Sequence, residues 1–251
     1  MEMFNFSGQS AIVTGAARGL GQALAIALAE AGADLTLVTN SSPADETKQA
    51  IERIGRRAIV VKADVSDQAS LRGIIDSAKA AFGRIDILVN NAGIIRRAPA
   101  AEHAYADWQA VLGTNLDSVF TLCQLAGNEM LAQGSGKIIN IASMLSFQGG
   151  VNVPGYTASK HAVAGLTKAL ANEWASRGVQ VNAIAPGYMA TDNTAALRAD
   201  EARNQQILDR IPAGRWGSND DLKGAIVFLA SRASDYVNGH VLCVDGGWMV
   251  R

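Results

Sequence analysis

Tyr156 and Lys160 place a phenol and an ammonium four residues apart in the run Tyr156-Thr157-Ala158-Ser159-Lys160. On a helix, residues i and i+4 share a face, so both side chains can reach one site. A phenol with its ordinary pKa of ~10 is a poor acid–base group near neutrality. An ammonium beside it favours the phenolate and makes proton exchange with a substrate oxygen practicable. Ser143 lies thirteen residues before Tyr156, just after the apolar run Lys137-Ile138-Ile139-Asn140-Ile141-Ala142. A serine at the end of a strand, facing the start of the next helix, can hydrogen-bond the same oxygen. A bare Tyr-x-x-x-Lys arises often by chance, so the elements around it decide its meaning.

Those elements alternate. Ser10 to Thr14 is a short apolar run that predicts a buried strand. It leads into Gly15-Ala16-Ala17-Arg18-Gly19-Leu20-Gly21 and then a helical pattern stopped by Gly32. Strand, glycine-rich turn and helix N-terminus together make a site for a diphosphate, because the free N–H groups and the helix dipole favour an anion. The spacing GxxxGxG departs from the commoner GxGxxG, and a tight turn that only packs strand against helix is the alternative reading. Further strands are expected at Asp34 to Thr39, Ala58 to Lys62, Asp86 to Val89, 137–142, Gly178 to Ile184 and His240 to Val244. Helices are expected at Pro43 to Gly55, from an N-cap at Ser66 to Phe82, at Glu102 to Ala132, after Tyr156, and at Asp220 to Ala230. Gly113-Thr114-Asn115 predicts a local kink in the long helical region, and Asn115 alone reads as a polar residue on the helix surface.

Regular alternation argues for an α/β fold with a doubly wound parallel sheet, right-handed crossovers and helices on both faces. Ligands on such sheets bind beyond the carboxyl ends of the strands. Gly15, Thr39, Asp64, Asn91 and Ser143 all lie at such ends and should converge on one crevice. The segment 188–217 is polar and irregular, with a helical centre around Ala195 to Arg210, and a loop of this length at a strand's carboxyl end reads as a substrate lid.

Bulk properties narrow the classes. The chain has 251 residues, is 49% hydrophobic and 18% charged, and fits a single domain over 1–251. A formal net charge of −1 gives no general attraction to nucleic acid or anionic membrane. Cys123 and Cys243, both in apolar surroundings, form neither a disulfide framework nor a metal-ligand cluster and read as buried free thiols. No apolar run approaches the ~20 residues that span a bilayer, and the N-terminus lacks a signal-peptide pattern. A cytoplasmic protein is expected.

The motifs in combination resemble the short-chain dehydrogenase/reductase family along essentially the whole chain. They are TGAARGLG at 14–21, NNAG at 90–93, Asn115, Ser143, YTASK at 156–160 and PGYMAT at 186–191. A closer likeness, over 138–160, 181–217, NAGIIRR at 91–97 and SDYVNGHVLCVDGGW near the C-terminus, is to the subgroup of 2-deoxy-D-gluconate 3-dehydrogenases and 2-dehydro-3-deoxy-D-gluconate 5-dehydrogenases. That subgroup oxidises or reduces deoxy sugar acids in uronate breakdown. The resemblance implies a Rossmann-like fold and a catalytic set of Asn115, Ser143, Tyr156 and Lys160. Tyr156 would exchange the proton, Ser143 would hold the reacting oxygen, Lys160 would hold the phenolate and the nicotinamide ribose, and Asn115 would position a water. Gly15, Arg18, Gly19, Leu20 and Gly21 would wrap the diphosphate. Asp64 and Val65 would meet the adenine, and Asn91, Ala92 and Gly93 the adenosine and ribose. Pro186, Gly187, Met189 and Thr191 would close over the nicotinamide.

Cofactor choice stays open between NAD and NADP. An acidic residue after the second strand would favour NAD, but Thr39-Asn40-Ser41-Ser42 holds no carboxylate. Arg18 can reach a 2′-phosphate or point to solvent, whereas the subgroup likeness favours NAD. A sugar acid carries a permanent negative charge that needs a partner. Arg96 and Arg97 follow Asn91-Ala92-Gly93 and are the expected guanidinium clamp, with Tyr188 among the substrate contacts and Arg198, Arg203 and Arg215 of the lid as alternatives. A 3-oxoacyl carrier-protein reductase, marked by an apolar acyl tunnel, is the rival within the class. A non-catalytic dinucleotide-binding protein is the rival outside it. The resemblance also implies a homotetramer, for which Val241-Leu242-Cys243-Val244 and Trp248-Met249-Val250 supply apolar surface.

Overall fold

The computed structural model describes residues 2–251. Seven strands form one sheet: β1 (Ser10–Thr14), β2 (Asp34–Thr39), β3 (Ala58–Lys62), β4 (Ile87–Asn90), β5 (Gly136–Ile141), β6 (Val179–Pro186) and β7 (Val241–Val244). Every pairing is parallel, in the order β3-β2-β1-β4-β5-β6-β7. The order reverses between β1 and β4, which opens a crevice at their carboxyl ends.

The helices are α1 (Gly19–Glu30), α2 (Asp45–Arg53), α3 (Gln68–Phe82), α4 (Tyr105–Leu112), α5 (Ser118–Gln133), α6 (Pro154–Trp174), α7 (Ala195–Ala199), α8 (Glu201–Arg210) and α9 (Lys223–Ala230). Strand alternation divides the apolar side chains between two cores. Ala11, Val13, Ile87, Val89 and Ile139 face Leu24, Leu28, Ile51 and Ile226 of α1, α2 and α9. Ile12, Leu88 and Ile138 face Leu71, Ile75, Leu122 and Val163 of α3, α5 and α6. The doubly wound parallel sheet read from the sequence is therefore the fold.

Four local expectations change. The N-cap of α3 is Asp67, whose carboxylate accepts from Ala69 N at 3.1 Å. Ser66 is taken instead by Asp64, which accepts from its N at 2.9 Å and its Oγ at 2.7 Å. The kink between α4 and α5 is one π-helical turn, Gly113–Asp117. Its centre, Asn115, is fully buried rather than on the surface. The segment 188–217 breaks into α7 and α8 at Asp200, an extended residue whose carboxylate accepts from Arg203 N at 3.0 Å. Cys123 is buried and its thiol is pushed up to about 12 by desolvation, whereas Cys243 is only half-buried.

One polar chain crosses the second core. Asn90 Nδ2 donates to Asn140 Oδ1 at 2.9 Å, and Asn140 Nδ2 donates to Thr167 Oγ1 at 3.0 Å, linking β4, β5 and α6. All three side chains are buried. Asn140→Ala strands a donor on Asn90, and leaving one buried polar group unpaired costs about 1–3 kcal/mol. Thermal unfolding should fall by about 3–10 °C on that basis; an unchanged melting temperature would show that the chain carries no stability.

Candidate functional site

Gly15 and Gly19 adopt φ values of 67° and 58°, a region where a side chain is strained. At Gly21 a Cβ would run into the Gly15 carbonyl oxygen, so the turn closes only with glycine there. Thr14 anchors the floor: its Oγ1 accepts from the backbone N of Asn91 and of Ala92, both at 3.0 Å, while Asn91 Nδ2 donates to Thr14 O at 2.8 Å. Arg18 occupies the N-cap of α1 without a capping side chain, and the first turn carries no acid. The helix start thus presents backbone donors and a positive end.

A cavity of about 270 Å³ lies over this turn, walled by Gly15, Arg18, Gly19, Leu20 and Gly21, by Asn91, Ala92 and Gly93, and by Tyr156 and Lys160. Thr191 and Asp192 close it from the segment after β6. A second cavity of about 470 Å³ shares Gly15, Arg18, Ala92 and Gly93 and extends along Thr39, Asn40, Asp64 and Val65. The two adjoin along the carboxyl edge of the sheet.

Tyr156 and Lys160 sit in the first two turns of α6. The phenol is pushed above its ordinary pKa by burial, against a hydrogen bond from Ser143 and the positive charge of Arg97. Lys160 is held down to about 8 by burial. Its Nζ donates to Ile141 O at 2.6 Å and stands 5.5 Å from the centre of the Tyr156 ring. The sequence reading gave the ammonium the task of lowering the phenol pKa. Nζ is engaged by the β5 carbonyl beside the ring, and the charge of Arg97 also acts on the phenol.

Ser143 caps a short 3-10 turn, Met144–Ser146, and its Oγ accepts from Leu145 N at 3.1 Å. Ser146 Oγ donates to Lys160 O at 2.7 Å, tying that turn to α6. Asn115 Oδ1 accepts from Ile94 N at 2.8 Å, and its Nδ2 donates to Ile94 O at 2.9 Å and reaches Ser159 Oγ at 3.3 Å. The buried amide therefore joins the π turn, the loop after β4 and α6.

Other candidates lie elsewhere. Arg96 lines the larger cavity and pairs with Asp107 at 3.3 Å. Tyr188 packs on Trp248 and Trp216, with ring centres 4.6 and 5.5 Å away, and with Gly187 and Met189 lines a separate cavity of about 180 Å³. Pro186 ends β6 and lines none of these three cavities. Arg198 donates to Thr191 O, Arg203 to Gln206 Oε1, and Arg215 grips Asp221 with two nitrogens at 2.7 Å each. Sequence reasoning missed Thr14, Ser146, Ser159 and Asp192. Ser159 stood inside the Tyr-x-x-x-Lys run, and Thr14 stood directly before the glycine turn. Asp192 pairs with Arg18 at 3.5 Å across the cavity mouth.

A family model described as Enoyl-(Acyl carrier protein) reductase matches residues 15–249. The chain belongs to the short-chain dehydrogenase/reductase family. Among its relatives is the 2-dehydro-3-deoxy-D-gluconate 5-dehydrogenase of Bacillus subtilis (strain 168), 58% identical, with 100% of this chain and 98% of that protein covered. An Agrobacterium tumefaciens crystal structure with bound NADP is 54% identical over 100% of both chains, with a TM-score of 0.94. A gluconate 5-dehydrogenase from Burkholderia cenocepacia J2315, in complex with NADP and tartrate, is 43% identical, covers 99% of this chain and 98% of its own, and has a TM-score of 0.94.

Within this member of the family, Lys160 is a buried cation whose cost to folding varies with pH. Its folded pKa of about 8 lies below the ordinary 10.5. The penalty is fully present below pH 8 and is relieved as pH rises towards 10.5, where the unfolded chain also loses the proton. A shift of that size is worth about 3 kcal/mol. The melting-temperature difference between Lys160→Met and the wild type should therefore move in favour of the wild type between pH 8 and 10.5. A constant difference across that window would mean that Lys160 titrates normally.

Proposed function

We propose that this chain is an NAD(P)-dependent oxidoreductase that interconverts a hydroxyl and a carbonyl on a deoxy sugar acid of the 2-dehydro-3-deoxy-D-gluconate or 2-deoxy-D-gluconate type. The observation that carries the reading is the convergence on Tyr156: a half-buried phenol, hydrogen-bonded to Ser143, under the charge of Arg97, at the wall of a cavity that Lys160, Asn91 and Arg18 also line. Full-length likeness to 2-dehydro-3-deoxy-D-gluconate 5-dehydrogenases supports the substrate class.

A dinucleotide fits the residues present. Gly15 and Gly19 in left-handed conformations, the uncapped start of α1 and two adjoining cavities suit a diphosphate with a nucleoside on either side. Gly15, Arg18, Gly19, Leu20 and Gly21 would hold the diphosphate, and Thr39, Asn40, Asp64 and Val65 the adenosine end. Asn91, Ala92, Gly93 and Lys160 would hold the nicotinamide side, with Thr191 closing over it. When bound, the nicotinamide supplies or accepts the hydride. Tyr156 moves the proton to or from the substrate oxygen, and Ser143 holds that oxygen by a hydrogen bond. Lys160 keeps a positive charge beside the ring, while Asn115 fixes the loop that forms the cavity wall. No carboxylate stands at Thr39-Asn40-Ser41-Ser42 to oppose a 2′-phosphate, and solved relatives carry NADP. We therefore read both NAD and NADP as accepted.

The substrate carboxylate pairs with Arg97 in this reading, since its charge is the one of the two that acts on Tyr156. Arg18, Asn91, Lys160 and Asp192 make the cavity better suited to a hydroxy acid than to the acyl chain of a 3-oxoacyl carrier-protein reductase. A turnover-free dinucleotide-binding protein would have no use for the engaged Tyr156 and Ser143. We place the protein in the cytoplasm, and no helix among the described residues is long and apolar enough to cross a membrane. We also propose a homotetramer. Its support is the family and the edge strand β7, because Trp248 is already buried against Met144, Ile207 and Ile211 of its own chain and only Val250 of that tail stands well exposed.

The decisive measurement is oxidation of NADH and of NADPH against several keto-deoxy-uronates. Tyr156→Phe should lower kcat by ~10²–10⁴ or more while leaving dinucleotide affinity near wild type; comparable turnover removes Tyr156 from the mechanism. Arg97→Ala should raise KM for the acid by far more than for an uncharged analogue. Equal effects on both substrates would eliminate the clamp.

A further inference from the structure

Asn152 is the one non-glycine residue with positive φ among the described residues, at 61°. Left-handed backbone is sterically strained for a residue with a side chain, least so for asparagine and most for β-branched types. Such strain persists where surrounding contacts fix it, often beside a functional site. Asn152 lies in an exposed turn two residues ahead of Pro154, which opens α6.

Its backbone carbonyl has one recorded partner, the N–H of Ala98, at 3.0 Å. Ala98 belongs to the loop after β4, which carries Arg96 and Arg97 and forms no regular structure before Ala100. Four residues upstream the same loop is gripped by Asn115, through both the N–H and the carbonyl of Ile94. The loop is thus tied at Ile94 and at Ala98, and the residues between these ties include both arginines. Arg96 has its own partner in Asp107 on α4. Arg97 adjoins the Ala98 tie, and its charge is felt at Tyr156.

We propose that Asn152 is a positioning residue: its left-handed turn holds Ala98 and so keeps Arg97 in place beside the Tyr156 phenol to receive the substrate carboxylate. This rests on the reading of Arg97 as the carboxylate clamp. Asn152 lines none of the three cavities described above. It acts through one backbone hydrogen bond, and its identity matters because few side chains tolerate the conformation that aims that carbonyl.

The test compares Asn152→Gly, Asn152→Val, Arg97→Ala and the double variant Asn152→Val/Arg97→Ala in the full-length protein. Each is assayed with the sugar acid and with an uncharged analogue, with NADPH binding as the check on folding. Asn152→Gly should match wild type, because glycine adopts the left-handed conformation freely. Asn152→Val should raise KM for the acid by about 10- to 100-fold, the scale of a clamp displaced by about an ångström. Its KM for the uncharged analogue should stay close to wild type, and any fall in kcat from moving the Arg97 charge away from Tyr156 should be the same for both substrates. In the Arg97→Ala background the same change should add little, since coupled residues are not additive. If Asn152→Val does not bind NADPH, Asn152→Ala takes its place with the same ordering expected. Equal rises in KM for charged and neutral substrates, or KM effects that multiply in the double variant, would overturn the positioning role alone. An Arg97→Ala variant that does not distinguish the two substrates would overturn the clamp, and the positioning role with it.

Discussion

A buried carboxamide must find partners for both its donor and its acceptor, and this demand sets the geometry on which the site depends. Asn115 is fully buried and meets it with the backbone of Ile94 on one side and Ser159 on the other. To face inward from the middle of a long helical stretch, its turn takes the wider π form. Asn140 answers the same demand one layer deeper, between β4, β5 and α6. Together these amides fix α6 and the loop after β4 relative to the strand ends. Lys160, Arg97 and Ser143, which act at Tyr156, are carried on those two pieces and on the turn after β5.

The electrostatics follow from that packing. Desolvation pushes the phenol and the ammonium in the direction that favours the neutral form of each, the phenol up and the ammonium down. The two groups are thereby moved apart on the pH scale, so that the ammonium loses its proton before the phenol does. A phenol in this setting needs outside help to ionise, and it comes from Ser143 and from Arg97. The same guanidinium that supports a phenolate suits a substrate carboxylate.

Much of this was legible from the sequence because it depends on local chemistry. Glycines at 15, 19 and 21, the apolar runs of β1 to β6 and the Tyr156–Lys160 spacing are each short-range signals, and the structure places them as those signals imply. What escaped depends on long-range pairing. Asn115 read as a surface residue, since nothing nearby in sequence shows that Ile94 lies against it. Ser66 read as an N-cap because it precedes a helix, but Asp64 competes for its N–H and hydroxyl. Arg96 and Arg97 were equivalent by position, and the fold separates them by placing the charge of Arg97 where it acts on Tyr156. Tyr188 read as a substrate contact from its place after β6, whereas Trp216 and Trp248 draw it into an aromatic cluster.

That cluster holds the segment after β6 on one side, and a weaker tie holds it on the other. At its far end Trp248 lies between Tyr188 and Arg210, the guanidinium 4.0 Å from its ring, while Arg215 and Asp221 lock the chain that returns to α9. These contacts combine apolar burial with charge-assisted bonds and leave little freedom. The near end is held differently. Thr191 and Asp192 reach the cavity mouth, and the recorded tie across it is the 3.5 Å pair between Asp192 and Arg18, both well exposed. An exposed pair at that distance is screened by water and salt and holds weakly. An anionic group bound at the glycine turn would compete with Asp192 for Arg18. Such competition would act on the end of the segment that is least firmly packed, and leave its aromatic base in place.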